Sequence, residues 1–223
     1  MGYLTKVLVL LGLLVVTLKS FGSEKIIFGR VDWYPINEAR KDIQEAGKAV
    51  GRLNIPEARS RCTAFFVKPN VVMTAWHCVR NKFWARDVEM VVEDKKYKCD
   101  QYIKGNAYWD YTLLQCKKSH THHFKLKRIE VVNQSQIFII HVNCDYRFSR
   151  CKPRKVVSTD FVKNIWFRSF SYRADTLGGS SGAPVLNKDM EVVGIHTSGL
   201  PKESNVGTRL SAIDELPYWV YKN

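Results

Sequence analysis

The feature that most limits the fold is a series of short apolar and β-branched runs that begins at Cys62 and continues through most of the chain. Runs at 63–67, 71–75, 88–92 and 111–114 are followed, after a break, by 129–132, 137–142, 155–158, 165–170, 184–186 and 191–196. Each is short for a helix and the right length for a strand. Turn formers separate them, as Lys68-Pro69-Asn70 does between the first two. Many short strands with turns between them predict a barrel or sandwich, an all-β class. A polar stretch, 117–128 (KKSHTHHFKLKR), divides the runs into two sets of similar size. The expected order is a first barrel over 51–118, a linker at 119–128, and a second barrel over 129–223. Residues 23–50 precede them as a pro-segment or amino-terminal arm. Within that arm, 37–50 predicts one exposed helix, capped by Asn37 and stopped by Gly51. Residues 212–221 predict a short terminal helix despite Pro217.

The amino-terminal 22 residues read differently. Lys6 precedes a twelve-residue apolar run, 7–18, and a membrane-spanning helix needs about 20 such residues. Ser20 and Gly22 supply small residues two apart, as a signal-peptidase site requires. Residues 1–22 are therefore expected to be a secretory signal. The product is expected to be secreted or periplasmic, with no stable membrane insertion once the signal is removed. An oxidising compartment lets cysteines pair. The six cysteines are Cys62, Cys78, Cys99, Cys116, Cys144 and Cys151. They allow fifteen pairings, among which spacing does not choose; sequential pairing closes three short loops.

Apolar residues make up 45% of the chain and charged residues 25%, which excludes a disordered or low-complexity protein. The formal charge is +14, and losing the signal removes Lys6 and Lys19 from it. The remaining basic residues are spread along the chain without a nucleic-acid-binding motif, so no nucleic-acid partner is expected. Such charge bears on solubility and on capture of acidic surfaces or substrates. His120, His122 and His123 lie close together, but no helical or CxxC partner accompanies them. They read as solvated linker histidines, with no metal and no cofactor.

Three blocks carry chemistry: Thr74-Ala75-Trp76-His77-Cys78, Asp110-Tyr111-Thr112-Leu113-Leu114 and Gly178-Gly179-Ser180-Ser181-Gly182-Ala183-Pro184-Val185. They supply a His, an Asp and a Ser. A serine hydroxyl attacks a carbonyl at neutral pH only if an imidazole takes its proton. A carboxylate on the other ring nitrogen holds the tautomer and stabilises the imidazolium that forms. The oxyanion needs fixed donors, each worth on the order of 3 kcal/mol in the transition state. The amides of Gly179 and Ser181 are placed to supply two, because glycine lets the backbone come close.

Taken together, TAWHC, DYTLL and GGSSGAPV resemble the signature blocks of the chymotrypsin-like serine proteases, over about 61–213 of the chain. The resemblance implies two antiparallel six-stranded Greek-key barrels with the active site between them. It implies His77 as general base, Asp110 as its orienting partner and Ser181 as nucleophile. It also implies a Cys62–Cys78 disulfide bracketing the histidine, and a Thr197 hydroxyl supporting the buried Asp110. One departure stands out. The digestive members carry an Asp just before the nucleophile, which pairs with a freed amino terminus, whereas this chain has Ser180.

Asp175-Thr176-Leu177-Gly178-Gly179-Ser180-Ser181-Gly182, Gly194-Ile195-His196-Thr197-Ser198-Gly199 and Asn205-Val206-Gly207-Thr208-Arg209 are similar to segments of the bacterial glutamyl endopeptidases. That likeness implies a pocket in which His196 and Thr176 receive a Glu side chain, with Thr197 and Gly199 beside the substrate. A carboxylate entering a pocket needs charge-assisted hydrogen bonds to replace its water, and histidine offers them in a pH-dependent way. The expected activity is a monomeric serine endopeptidase acting on proteins or peptides through an acyl-enzyme, cleaving after Glu and more weakly after Asp.

Rival readings rest on particular residues. Asp175, six residues before Ser181, lies at the offset where trypsin-like enzymes bind Lys or Arg. Gly178-x-Ser180-x-Gly182 matches an α/β-hydrolase elbow, but only His196 follows it and crossover helices are missing. A silent binding or adhesion homologue would have lost one of the three groups, and all three are present.

Overall fold

The structure, a computed structural model, describes residues 27–28, 31–143, 153–200 and 203–222. The expected signal at 1–22, together with Cys144 and Cys151, lies outside the described residues. In chain order the strands are β1 (Tyr34–Pro35), β2 (Val50–Ile55), β3 (Ser60–Lys68), β4 (Val71–Thr74), β5 (Glu89–Val92), β6 (Lys95–Lys98), β7 (Gln101–Asn106) and β8 (Tyr111–Gln115). They continue as β9 (Gln136–Asn143), β10 (Arg154–Phe161), β11 (Asn164–Ile165), β12 (Ser169–Tyr172), β13 (Pro184–Leu186), β14 (Val192–Leu200) and β15 (Ser204–Arg209). Among the described residues there is one α-helix, α1 (Lys41–Gly47), which precedes β2.

The strands form two antiparallel sheets. The amino-terminal sheet has seven strands in the order β6-β5-β2-β3-β4-β8-β7, and the other has eight in the order β1-β10-β9-β13-β14-β15-β12-β11. The expectation was six per barrel; the extra members are the short pairings β1 and β11, two residues each, and an edge strand, β6. Residues 116–135, which connect the sheets, contain no strand.

Side-chain alternation explains why the central strands read as unbroken apolar runs. In β3, Ala64 and Phe66 enter a core within the first sheet, while Phe65 and Val67 enter a core shared by both sheets. In β9, Ile137 and Ile139 face a core within the second sheet, while Phe138 and Ile140 face the shared one. Both faces are therefore dry, and no polar alternation survives.

Several expectations are corrected. The helix over 37–50 shrinks to α1. Ala39 is extended, Arg40 rather than Asn37 takes the cap position, and Val50 already belongs to β2, so Gly51 stops nothing. The terminal helix at 212–221 is replaced by two 3-10 turns, Leu210–Ala212 and Tyr218–Val220; Pro217 has no N–H to continue a helix between them. The run at 129–132 pairs with nothing among the described strands. The run at 165–170 is broken by a turn closed from Trp166 N to Ser169 O, 2.8 Å. His120 is not a solvated linker residue. It is buried, with Tyr97 Oη 2.7 Å from Nδ1 and the Lys48 carbonyl 2.9 Å from Nε2. His122 pairs with Glu45 instead, at 3.1 Å. Among the described residues no group of acidic, Cys and His side chains is arranged to hold a metal.

Candidate active site

His77 lies three residues beyond the end of β4, after the buried Ala75 and then Trp76. Two disulfides brace this sheet: Cys62–Cys78, from β3 to the residue after His77, and Cys99–Cys116. Asp110 ends a turn in which the Asn106 carboxamide oxygen accepts hydrogen bonds from Tyr108 N and Trp109 N, at 2.7 and 3.1 Å. That turn leaves Asp110 at φ 47, a left-handed conformation that Asp tolerates better than most residues. Its carboxylate then reaches His77. The ring Nδ1 lies 2.8 Å from Asp110 Oδ2 and 3.2 Å from Oδ1, and the His77 amide donates to Oδ1 at 2.9 Å. The His77 side chain remains 37% exposed. It lines a cavity of about 350 Å³ with Trp76, Tyr108, Arg168, Thr197 and Ser198.

The Ser181 turn comes from the second sheet and docks on the first. Thr63 of β3 makes the junction. Its amide donates to the Ser181 carbonyl at 2.8 Å. Its hydroxyl donates to the Gly179 carbonyl at 2.7 Å and accepts from Val142 N of β9 at 3.0 Å. Cys78 Sγ lies 3.9 Å from the Ser181 carbonyl oxygen, so the serine backbone sits beside the segment that carries His77. Glycine at 182 is required for this approach. At φ +83, a Cβ there would overlap Thr74 Oγ1 and the Thr63 carbonyl and lie 2.8 Å from Ala75 N.

Ser181 is partly exposed, whereas Ser180 is fully buried. Among the described residues, Ser181 Oγ makes no hydrogen bond to the His77 ring, and the amides of Gly179 and Ser181 donate to no protein acceptor. The Gly179 carbonyl that Thr63 holds belongs to the same peptide as the Ser180 N–H, which donates to the Leu177 carbonyl at 3.0 Å.

Deeper in the second sheet lie His196 and its surroundings. Tyr172 Oη is 2.7 Å from His196 Nδ1. Burial pushes the Tyr172 hydroxyl well above its usual range, so it keeps its proton and can donate to Nδ1 or accept from it according to the ring's tautomer. Burial, and after it the neighbouring His141 and His77, pull His196 down to about 3. Thr176 is also buried. Thr197 departs from expectation: its hydroxyl donates to the Val206 carbonyl at 3.2 Å rather than to Asp110. A register shift between His196 and Ser198 leaves Thr197 out of the ladder and turns it toward β15.

Asp175 is completely buried. Its carboxylate accepts from Phe28 N at 2.6 Å and from Asp32 N at 3.1 Å. Burial, and then the Asp175 charge, raise Asp32 to about 6. Neither this arm contact nor the roles of Thr63 and His141 were read from the sequence. A threonine and a histidine inside otherwise apolar strands were the available signal.

Two β-sheets that meet at a His–Asp pair and a glycine-serine turn define the chymotrypsin-like class. The comparisons agree. A model of the trypsin-like peptidase domain matches residues 62–195. No curated protein matches the chain in sequence. Among solved structures, a Glu endopeptidase superposes with TM-score 0.70 at 17% identity, covering 84% of this chain and 94% of its own. The Rv3671c protease of M. tuberculosis, active form, gives TM-score 0.65 at 15% identity, covering 87% and 89%. Its inactive form gives 0.66 at 13%, covering 83% and 95%. The chain belongs to the trypsin-like peptidase family and is a serine endopeptidase, acting on protein or peptide substrates.

Proposed function

We propose that the chain is an exported endopeptidase that cleaves after Glu, and less well after Asp, through an acyl-enzyme on Ser181. The observation that carries the reading is the Asp110 carboxylate on His77 Nδ1, with the ring still open to solvent beside the docked Ser181 turn. Asp110 holds the proton on Nδ1, which leaves Nε2 free to accept one. Substrate binding brings Ser181 Oγ to Nε2; hydrogen bonds of this kind are often long before substrate binds. As Oγ attacks the carbonyl carbon, His77 takes its proton. The amides of Gly179 and Ser181, without protein acceptors, receive the oxyanion. His77 then protonates the leaving amine, and a water activated by the same ring releases the acid.

Tyr172 supports the preference for Glu. Its hydroxyl lies 2.7 Å from His196 Nδ1; in the form that receives Glu it donates there, which puts the proton of the neutral ring on Nε2, where it can donate to the substrate carboxylate. Thr176 is assigned as a second donor for that carboxylate, through its hydroxyl, and Thr197 and Gly199 as the backbone beside the substrate. The Lys/Arg alternative finds less support, because amides of the amino-terminal arm already engage both Asp175 oxygens. Paired cysteines suit the oxidising compartment to which the 1–22 segment would send the chain. No helix among the described residues is long and apolar enough to cross a membrane. The expected product is a monomer.

Mass-spectrometric mapping of cut sites in a peptide library tests the reading. Cuts after Glu, abolished in Ser181→Ala, are expected. Cuts after Lys or Arg would move the specificity to Asp175, and no cuts at all would favour a binding protein.

A further inference from the structure

The residue before the nucleophile raises a question the proposed mechanism leaves open. Two free amides must be held still for an oxyanion, and no ion pair is available at Ser180 to hold them. The second sheet contains an uncharged substitute. Ser180 Oγ lies 2.7 Å from His141 Nδ1, His141 Nε2 lies 2.9 Å from Ser158 Oγ, and Ser158 Oγ lies 2.6 Å from the Asp175 carbonyl oxygen. His141 and Ser158 are both fully buried, on the neighbouring strands β9 and β10.

The direction of every bond follows from the last one. A carbonyl has no proton, so Ser158 donates to Asp175. Ser158 then accepts from His141, which fixes the proton on Nε2. Nδ1 is left as an acceptor, and Ser180 donates to it. The Ser180 oxygen in turn accepts from Leu177 N at 3.3 Å, while the Ser180 amide donates to the Leu177 carbonyl at 3.0 Å. A single imidazole thus pins both ends of the 175–180 segment to the same strand pair. Thr176, Gly178 and Gly179 lie between the pins, and Thr63 holds the Gly179 carbonyl from the other sheet.

We propose that His141 is a positioning residue, which through Ser180 and Ser158 holds the nucleophile turn and its two amides in the geometry of the transition state. The proposal rests on Ser181 being the nucleophile. The relay carries no net charge, which suits its surroundings: burial lowers His141 to about 3, so the ring stays neutral at working pH. An ion pair there would instead bear a large desolvation cost. A fully satisfied buried network of this kind specifies one arrangement of the backbone it touches.

The test uses the full chain with Ser180→Ala, His141→Leu, His141→Gln and Ser181→Ala, on a peptide substrate taken from the library. The readouts are kcat, KM, Tm and the rate of labelling by a fluorophosphonate. Ser180→Ala and His141→Leu are expected to lower kcat about ten- to a hundredfold, with KM changing less than about threefold. Labelling slows in parallel, because the phosphonylated serine places an oxygen in the same hole. His141→Gln presents an acceptor and a donor on one side chain, and is expected to recover most of the loss. Wild-type kcat in Ser180→Ala, with Ser181→Ala inactive, would overturn the relay while leaving the nucleophile in place. So would a Gln variant that folds but performs no better than Leu. If His141→Leu does not fold, Ser180→Ala against the parent decides the matter alone. Activity in Ser181→Ala would overturn the nucleophile assignment and the relay with it.

Discussion

His77 and the pair His141 and His196 place the same side chain in two opposed environments. His77 keeps more than a third of its side chain in solvent and has a carboxylate on Nδ1. The other two are fully enclosed in the second sheet, and their nearest partners are hydroxyls: Ser180 and Ser158 for His141, Tyr172 for His196. The difference teaches what each environment permits. A base must be able to become positive, so it needs a counter-charge and access to water. A buried ring without a carboxylate stays neutral, so it serves as a fixed donor and acceptor whose tautomer its neighbours choose.

The sharpest way to break this contrast is to remove the counter-charge. Asp110→Asn keeps the shape of the site but offers an N–H2 group to Nδ1, which favours the wrong tautomer. Its kcat is expected to fall on the order of 10⁴-fold with Tm nearly unchanged, measured on a peptide substrate and by thermal unfolding. A loss of less than tenfold would mean that His77 does not depend on the carboxylate. A smaller and more selective effect is expected at His196. Replacement by Val should cut kcat/KM for a Glu substrate about a hundredfold, while reaction with a small active ester changes much less. Equal losses on the two substrates would remove His196 from the pocket.

Docking of the two sheets has its own test. Gly182→Ala forces a Cβ into Thr74 and the Thr63 carbonyl at a positive φ. It is expected to cost about 2–4 kcal/mol, read by denaturant unfolding, with activity falling alongside. A neutral outcome would mean that the Ser181 turn is not pressed against the His77 segment.

A further effect is on acid stability. An unfolded histidine titrates near its ordinary value of 6.5, and folded His141 and His196 near 3. As pH falls through that window the unfolded chain takes up protons that the folded chain refuses. Each ring therefore removes about 1.4 kcal/mol of stability per pH unit. Asp32 works the other way: its folded value of about 6 exceeds its ordinary value of 3.8, so acid stabilises the fold through it between those values. His141→Gln should show a shallower loss of Tm between pH 6 and 4 than the parent, and an identical slope would contradict a neutral buried ring.

Much of the site was legible because local residue types carry it. TAWHC, DYTLL and GGSSGAP each place one group at the end of a strand or in a tight turn, and their order limits the folds that can unite them. The fold was legible where strands are buried on both faces, as in β3 and β9. It was obscure where strands are polar or interrupted. β6 (KKYK) is an edge strand whose lysines look like a loop. β7 and β15 each contain a glycine among polar residues, and β2 hides at the end of an apparent helix because Ala49 and Val50 continue the helical apolar spacing. The relay through His141 joins residues 17 and 39 apart in sequence. Pairing of β9 with β10 brings Ser158 to His141, and pairing of β9 with β13 brings the Ser180 turn to it, so no local pattern could announce the relay.

The central claim concerns which of two adjacent serines reacts, and with what help. Brief exposure of the folded chain to a fluorophosphonate, followed by peptide mapping, decides it most directly. The account predicts one adduct, on the partly exposed Ser181, formed at a rate that collapses in His77→Ala. An adduct on buried Ser180, or labelling of Ser181 that ignores the loss of His77, would contradict it.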